Sequence, residues 1–358
     1  MYHPDYVMKD WELLLIFYAL VIATVFICAL GNKFLPMVDT ICAAFTAISI
    51  LIILIALSVK ADAGRHSASY ALSHYDKSFS GYGGFTFFIG LLPAAYCFSA
   101  LGMIASMAEE CDNPSVKVPR ALALCIPVGG IAGLFFVVPI CVLLPNLADI
   151  ITAPAGQALP FIFHKIMGSP GGGLGLTFLV LLITLFCSIS ITVAASRCTW
   201  AAARDHALPF AGTFAKVNDK LGVPVNALLL VTLIQLLLGL INLGSSSAFT
   251  AFVSVGVIGL AVSYAIPIIL SVLASRREVN TAKWNLGNAI GYATNILAVV
   301  WIGFELVLFS MPGALPVTVV SMNYASVVLV GFLGLAGVFY VVYARKVYKG
   351  PPESDAIE

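Results

Sequence analysis

Charge is what this sequence has least of. Across 358 residues only 10% are Asp, Glu, Lys or Arg, and the formal net charge is +1. No basic run exceeds two residues, so the electrostatic footprint of a nucleic-acid binder is missing and that class is set aside. The five histidines, His3, His66, His74, His164 and His206, fall outside the long apolar stretches and lack the spacing of metal ligands. The eight cysteines, Cys28, Cys42, Cys97, Cys111, Cys125, Cys141, Cys187 and Cys198, form no C-x-x-C pair. They lie in or at the ends of apolar stretches, which marks them as small buried hydrophobes rather than bridges or ligands. A membrane-embedded enzyme would need clustered His, Asp or Glu, and a channel a repeated selectivity filter; neither pattern is present. No cofactor and no metal is implied.

What fills the chain is apolar surface: 61% of residues are hydrophobic and the mean hydropathy is +1.03. Runs of roughly twenty apolar residues, the length that crosses a hydrocarbon core of ~30 Å, define membrane spans. Nine are expected. They run over about Trp11 to Leu30, Met37 to Val59, a stretch beginning at Gly83, Ala121 to Leu144, Leu174 to Ala195, Val225 to Leu243, Ala248 to Leu273, Ile290 to Ser310 and Met322 to Tyr343. The fold class is therefore an all-α polytopic membrane protein.

Between the spans, residues 1–10 are polar and carry no basic segment followed by a cleavage site, unlike a signal peptide. Leu159 to Met167 reads as a short interfacial helix, and Ser169-Pro170-Gly171-Gly172-Gly173 as a break. Residues 203–223 read as a loop holding a short amphipathic helix, and Gly244 to Ser247 as the turn of a tight helical hairpin. The tail GPPESDAIE has the composition of a disordered segment. Nine spans place the two ends on opposite sides, and alternating the loops puts 13 of the 18 Lys and Arg on the C-terminal side and 5 on the other. The excess of positive charge puts the C-terminus in the cytosol. The organisation expected is an external segment at 1–10, a transmembrane domain at 11–345 and a cytosolic tail at 346–358. An external start without a signal peptide or a preceding span suggests that upstream helices are missing.

The third span is the unusual one. Gly90, Pro93, Ser99 and Gly102 interrupt it where a membrane helix should be most regular. Backbone groups freed at membrane depth are tolerated where they are buried or line a cavity, and transporters build midplane solute sites from such broken helices. The alternative is a Gly- and Pro-tolerant helix with a solvated end. In the fifth span Ser188, Ser190, Thr192 and Ser196 set small hydroxyls along one stripe, which serves either close helix packing or a solute path. Glu305 is the one carboxylate well inside a span, and an intramembrane acid is a functional candidate by default.

AAYCFSALGMIASMAEECDNPSVKVPRA at 94–121 resembles the sixth helix and following loop of the amino acid/polyamine/organocation (APC) permeases. The similarity continues through SRCTWAAARDHALP at 196–209, LLLGLINLGSSSAFTAFVSVGVIGLAVSYAIP at 236–267 and SMPGALPVTVVSMNYASVV at 310–328. Together these resemble the fungal amino acid, GABA and choline permease branch, with the likeness running from about Trp11 to Pro352. The resemblance implies a LeuT-like fold of five-plus-five inverted repeats with two further helices, present here in part, as family helices four to twelve. It implies a substrate segment at Tyr96, Cys97, Phe98, Ser99, Ala100, Leu101 and Gly102, with Tyr96 as an aromatic gate. It also implies an inner gate of Glu109 and Glu110 with Arg120 or Arg197. Ser188 and Thr192, and separately Glu305, are the ion-coupling candidates. Gly102 stands where many relatives carry an acid, which argues against a cationic amino acid. The expected function is secondary active transport of an amino acid or related amine, GABA first, coupled to H+ in a fungal plasma or vacuolar membrane; choline, polyamines, or a truncated non-transporting fragment are the alternatives. The partners are the small-molecule substrate, the coupling ion and the lipid bilayer.

Overall fold

The computed structural model describes residues 8–62, 64–78, 80–153, 157–244, 246–318 and 322–348. Among them the secondary structure is helical, apart from an isolated bridge between Asn218 and Val223. The helices are α1 (Asp10–Leu30), α2 (Leu35–Lys60), α3 (Ala68–Ser73), α4 (Thr86–Ile89), α5 (Leu92–Ser99), α6 (Pro114–Val142), α7 (Leu147–Ile151) and α8 (Ala158–Met167). They continue as α9 (Pro170–Arg204), α10 (Ala211–Phe214), α11 (Val225–Gly244), α12 (Ser246–Leu273), α13 (Arg277–Thr281), α14 (Asn288–Leu308), α15 (Ala325–Phe339) and α16 (Arg345–Val347). A π-helical turn, Tyr340–Ala344, joins the last two.

Among the described residues, eight helical stretches are long and apolar enough to cross a membrane. The span expected at Val225 to Leu243 is helical as α11, but its apolar run Val225–Ile241 falls among the shorter apolar helices. The other eight expected spans each overlap one of the eight long stretches, although Pro114–Val142 begins seven residues before the expected Ala121 and Pro170–Arg204 runs nine residues past the expected Ala195. Large apolar side chains such as Leu297, Val300 and Val307 on α14 are about two-thirds exposed. Lipid solvates such faces as readily as a protein core would, so burying them brings little gain.

The chain divides into two compact units. The first comprises Met1–Tyr75, Pro127–Ser196 and Lys216–Gly239. Its core joins Ile53 and Leu57 of α2 to Ile162, Phe163 and Ile166 of α8, with Leu143 and Leu176. The helix expected to lie at the interface is thus a packed element, fully burying Phe163 and Ile166. The glycine run before α9 is not a break either. Pro170 takes the first helical position, where its missing N–H costs nothing, and the glycines run on as helix. A side chain at Gly173 would place its Cβ 2.8 Å from the His164 Cα, so glycine is what lets α9 lie against α8. The polar segment after α2 satisfies helix ends that would otherwise be orphaned. Asp62 N–H donates to the Ile166 carbonyl at 2.9 Å and His66 N–H to the Val142 carbonyl at 2.8 Å. A second cluster gathers Cys28, Leu35, Ile189, Val193, Val223 and Leu228.

The second unit comprises Asp76–Ile126, Arg197–Ala215 and Leu240–Glu358. Here α12 is the centre, packing on α14, α15 and α5. Val257 and Ile258 meet Leu308, Phe309 and Ala325, with Leu91, Leu92 and Ala95 against them. Arg276, 4% exposed, folds back from the end of α12 and donates from Nη1 to the carbonyls of Gly287 and Asn288 at 2.9 and 3.3 Å. It fastens the start of α14.

Candidate functional site

The third apolar stretch is broken twice. It opens with a 3-10 turn at Gly83–Phe85, continues as α4, and ends that first piece at Gly90. Pro93 sits in the first turn of α5, where a proline is tolerated. The α-helix then stops at Ser99, and Ala100–Glu110 winds as a 3-10 helix of eleven residues. Such runs seldom exceed three or four residues, and a long one inside a helix marks a hinge or strain.

At that change of winding a side chain enters the ladder. The Tyr264 hydroxyl of α12 donates to the Ser99 carbonyl at 2.8 Å and accepts from the Gly102 N–H at 3.0 Å. A Cβ at Gly102 would lie 2.6 Å from the hydroxyl oxygen and 2.7 Å from the ring Cζ, so glycine is the residue that lets the tyrosine in. Gly102 is distinguished in the structure by the room it leaves.

Of the predicted substrate segment, Tyr96, Cys97, Phe98 and Ser99 are helical and Ala100, Leu101 and Gly102 belong to the 3-10 turn. Tyr96 is 55% exposed, and Cys97 and Phe98 are exposed beside it. Ser99 turns its hydroxyl back to the Tyr96 carbonyl at 2.9 Å. Of the predicted gate, Glu109 and Glu110 end the 3-10 helix and their side chains lie outside the described residues. Arg120 is exposed on α6 and Arg197 is buried on α9.

The hydroxyl stripe on α9 splits in two. Thr192 and Ser196 are buried and Ser188 is half-buried along one face. Ser188 donates to the Leu185 carbonyl at 2.7 Å and lies 3.2 Å from Thr24 Oγ1 of α1; Ser196 donates to the Val193 carbonyl at 2.8 Å. The Ser188 and Ser196 hydroxyls thus each bond a carbonyl of their own helix. Ser190, two residues from Ser188, points to the opposite face and donates to Asp39 Oδ1 of α2 at 3.0 Å. Glu305 is half-buried and accepts from Trp301 Nε1, one turn earlier on α14, at 2.7 Å.

Two residues were missed by the sequence reading. Tyr264 carried a faint signal, since a tyrosine inside an apolar span needs a partner for its hydroxyl. Asp39 carried a clearer one, as an acid two residues inside the second span.

Among the described residues, then, one of the long apolar helical stretches is broken at a backbone gap that a tyrosine hydroxyl satisfies. The chain belongs to the amino acid permease family, whose model matches residues 1–333, within the APC superfamily. It is 29% identical over 358 residues to the choline transporter of Saccharomyces cerevisiae, covering 99% of this chain and 62% of that protein. It is 34% identical over 327 residues to an uncharacterised amino-acid permease of Schizosaccharomyces pombe, covering 90% and 60%. A Saccharomyces cerevisiae polyamine transporter is 28% identical over 326 residues, covering 88% and 53%. The chain thus spans a little over half the length of these relatives.

Proposed function

We propose that this chain carries out secondary active transport of an amino acid or related amine, as the part of a permease that holds family helices four to twelve. The observation that supports the reading best is the gap at Ser99–Gly102. A span that changes from α to 3-10 winding presents backbone donors and acceptors at membrane depth, and half-helix ends of this kind receive solutes in helical transporters. The exposed Tyr96 ring lies one turn before the gap, on the same helix, where it can cover a small solute.

GABA or a neutral amino acid is the favoured substrate. No carboxylate stands at Gly102 to hold a cationic side chain, and the Ser99 carbonyl, which accepts one bond from Tyr264, keeps a second lone pair for the ammonium of a zwitterion. The coupling ion is H+, with Ser188 and Thr192 lining the ion path and Glu110, Glu109, Arg120 and Arg197 closing the cytosolic mouth. The domain at 11–345 spans a plasma or vacuolar membrane, with the tail cytosolic. Choline is the second reading, because the similarity to a choline transporter extends over nearly the whole chain. A quaternary ammonium would be held by aromatic faces rather than hydrogen bonds, and Tyr96 and Phe98 are exposed to provide them.

Competition separates the two. In permease-deficient yeast expressing the chain extended by its upstream reading frame, excess GABA suppresses uptake of labelled alanine on the first reading. On the second, labelled choline is taken up instead and excess alanine does not suppress it.

A further inference from the structure

We propose that Tyr264 is the positioning residue of the broken helix: its hydroxyl stands in for the missing ladder bond and holds the Ser99 carbonyl and the Gly102 amide apart, at a fixed spacing. In a continuous 3-10 ladder the Gly102 N–H would bond directly to the Ser99 carbonyl three residues back. Here one hydroxyl, with one proton to give and lone pairs to receive, is interposed between that same donor and that same acceptor. Side chains that insert in this way are an identified cause of helix kinks.

Two independent features show that the insertion is built in. Gly102 lacks the Cβ that would strike the ring. The helix that delivers Tyr264 is firmly held, with Val257, Ile258, Ala261 and Ala265 buried along it, and α5 packs on that helix. Ser99 Oγ, which could compete for local carbonyls, is turned back to Tyr96. The gap is thus set by tertiary structure. A site whose backbone groups are fixed in advance loses less on binding than one that must order them.

The functional consequence rests on the transport reading above; the structural one does not. Tyr264→Phe keeps the ring as a spacer and removes the hydroxyl, leaving the Gly102 N–H without its partner. In the purified chain in lipid nanodiscs, hydrogen exchange at the Gly102 amide is expected to rise about tenfold or more, as for loss of one or two neutral hydrogen bonds. Exchange in α8 and α14 stays unchanged, which shows that the fold persists. Gly102→Ala, which displaces the ring by its methyl, gives the same rise, and the double variant gives no further one. In the extended, transporting form both single variants raise KM about tenfold with the maximal rate within twofold, whereas damage to folding would lower the maximal rate at constant KM.

Unchanged exchange at Gly102 in both variants overturns the proposal, as does a change of maximal rate at constant KM. Altered exchange together with no uptake by any form leaves Tyr264 as the positioning residue and removes the transport reading instead.

Discussion

Ser190 of α9 and Asp39 of α2 meet at 3.0 Å, hydroxyl to carboxylate, on the face of α9 opposite to the buried Thr192 and Ser196. The acid lies in the second turn of α2. Both groups are exposed, so the pair is worth little. Asp39→Ala is expected to destabilise the protein by about 0.5–1 kcal/mol and Asp39→Asn, which still accepts the bond, by less. Thermal unfolding in detergent with Ser190→Ala as the partner variant checks this, and the double variant should cost less than the sum of the singles.

Phe163 is fully buried between α8 and α2. Phe163→Ala removes the largest side chain from that cluster, at a cost of about 3 kcal/mol or more. Phe163→Leu should cost about half as much, both read from the unfolding midpoint.

Gly173→Val tests the close approach of α9 to α8. Its Cβ would meet the His164 backbone at 2.8–2.9 Å, and backbone cannot rotate away. A loss of about 1–3 kcal/mol is expected. Gly175→Ala, where a Cβ meets nothing within 4 Å, should instead be neutral or slightly stabilising, because alanine is the better helix former.

Glu305 spends one oxygen on Trp301 within its own helix. Glu305→Gln retains that acceptor, so uptake should stay within about twofold of the parent, since a local neutral hydrogen bond contributes only about 1 kcal/mol, and the pH dependence of uptake should not move. A shifted pH profile would instead make Glu305 a proton carrier.

The spans were legible because crossing hydrocarbon imposes a length and an apolar composition that are written locally in the sequence. The punctuation of the third span was legible for a similar reason: Gly90 and Pro93 fall at its first break, Ser99 and Gly102 at its second. What could not be read was anything set by a distant partner. The role of Gly102 depends on Tyr264, 162 residues away. The glycines at 171–173 look like a break until α8 is seen to need the space. The hydroxyls of α9 share a composition but not a face, since Ser190 is two residues from Ser188 and a helix turns by 3.6.

The most direct test of the account is uptake of labelled GABA, alanine and choline by permease-deficient yeast carrying the chain extended by its upstream reading frame, with Tyr96→Ala measured alongside. Saturable uptake of GABA or alanine, driven by an inward proton gradient and weakened about tenfold or more in KM by Tyr96→Ala, is the predicted result. No uptake of any of the three, with the protein shown to be at the membrane, would contradict it.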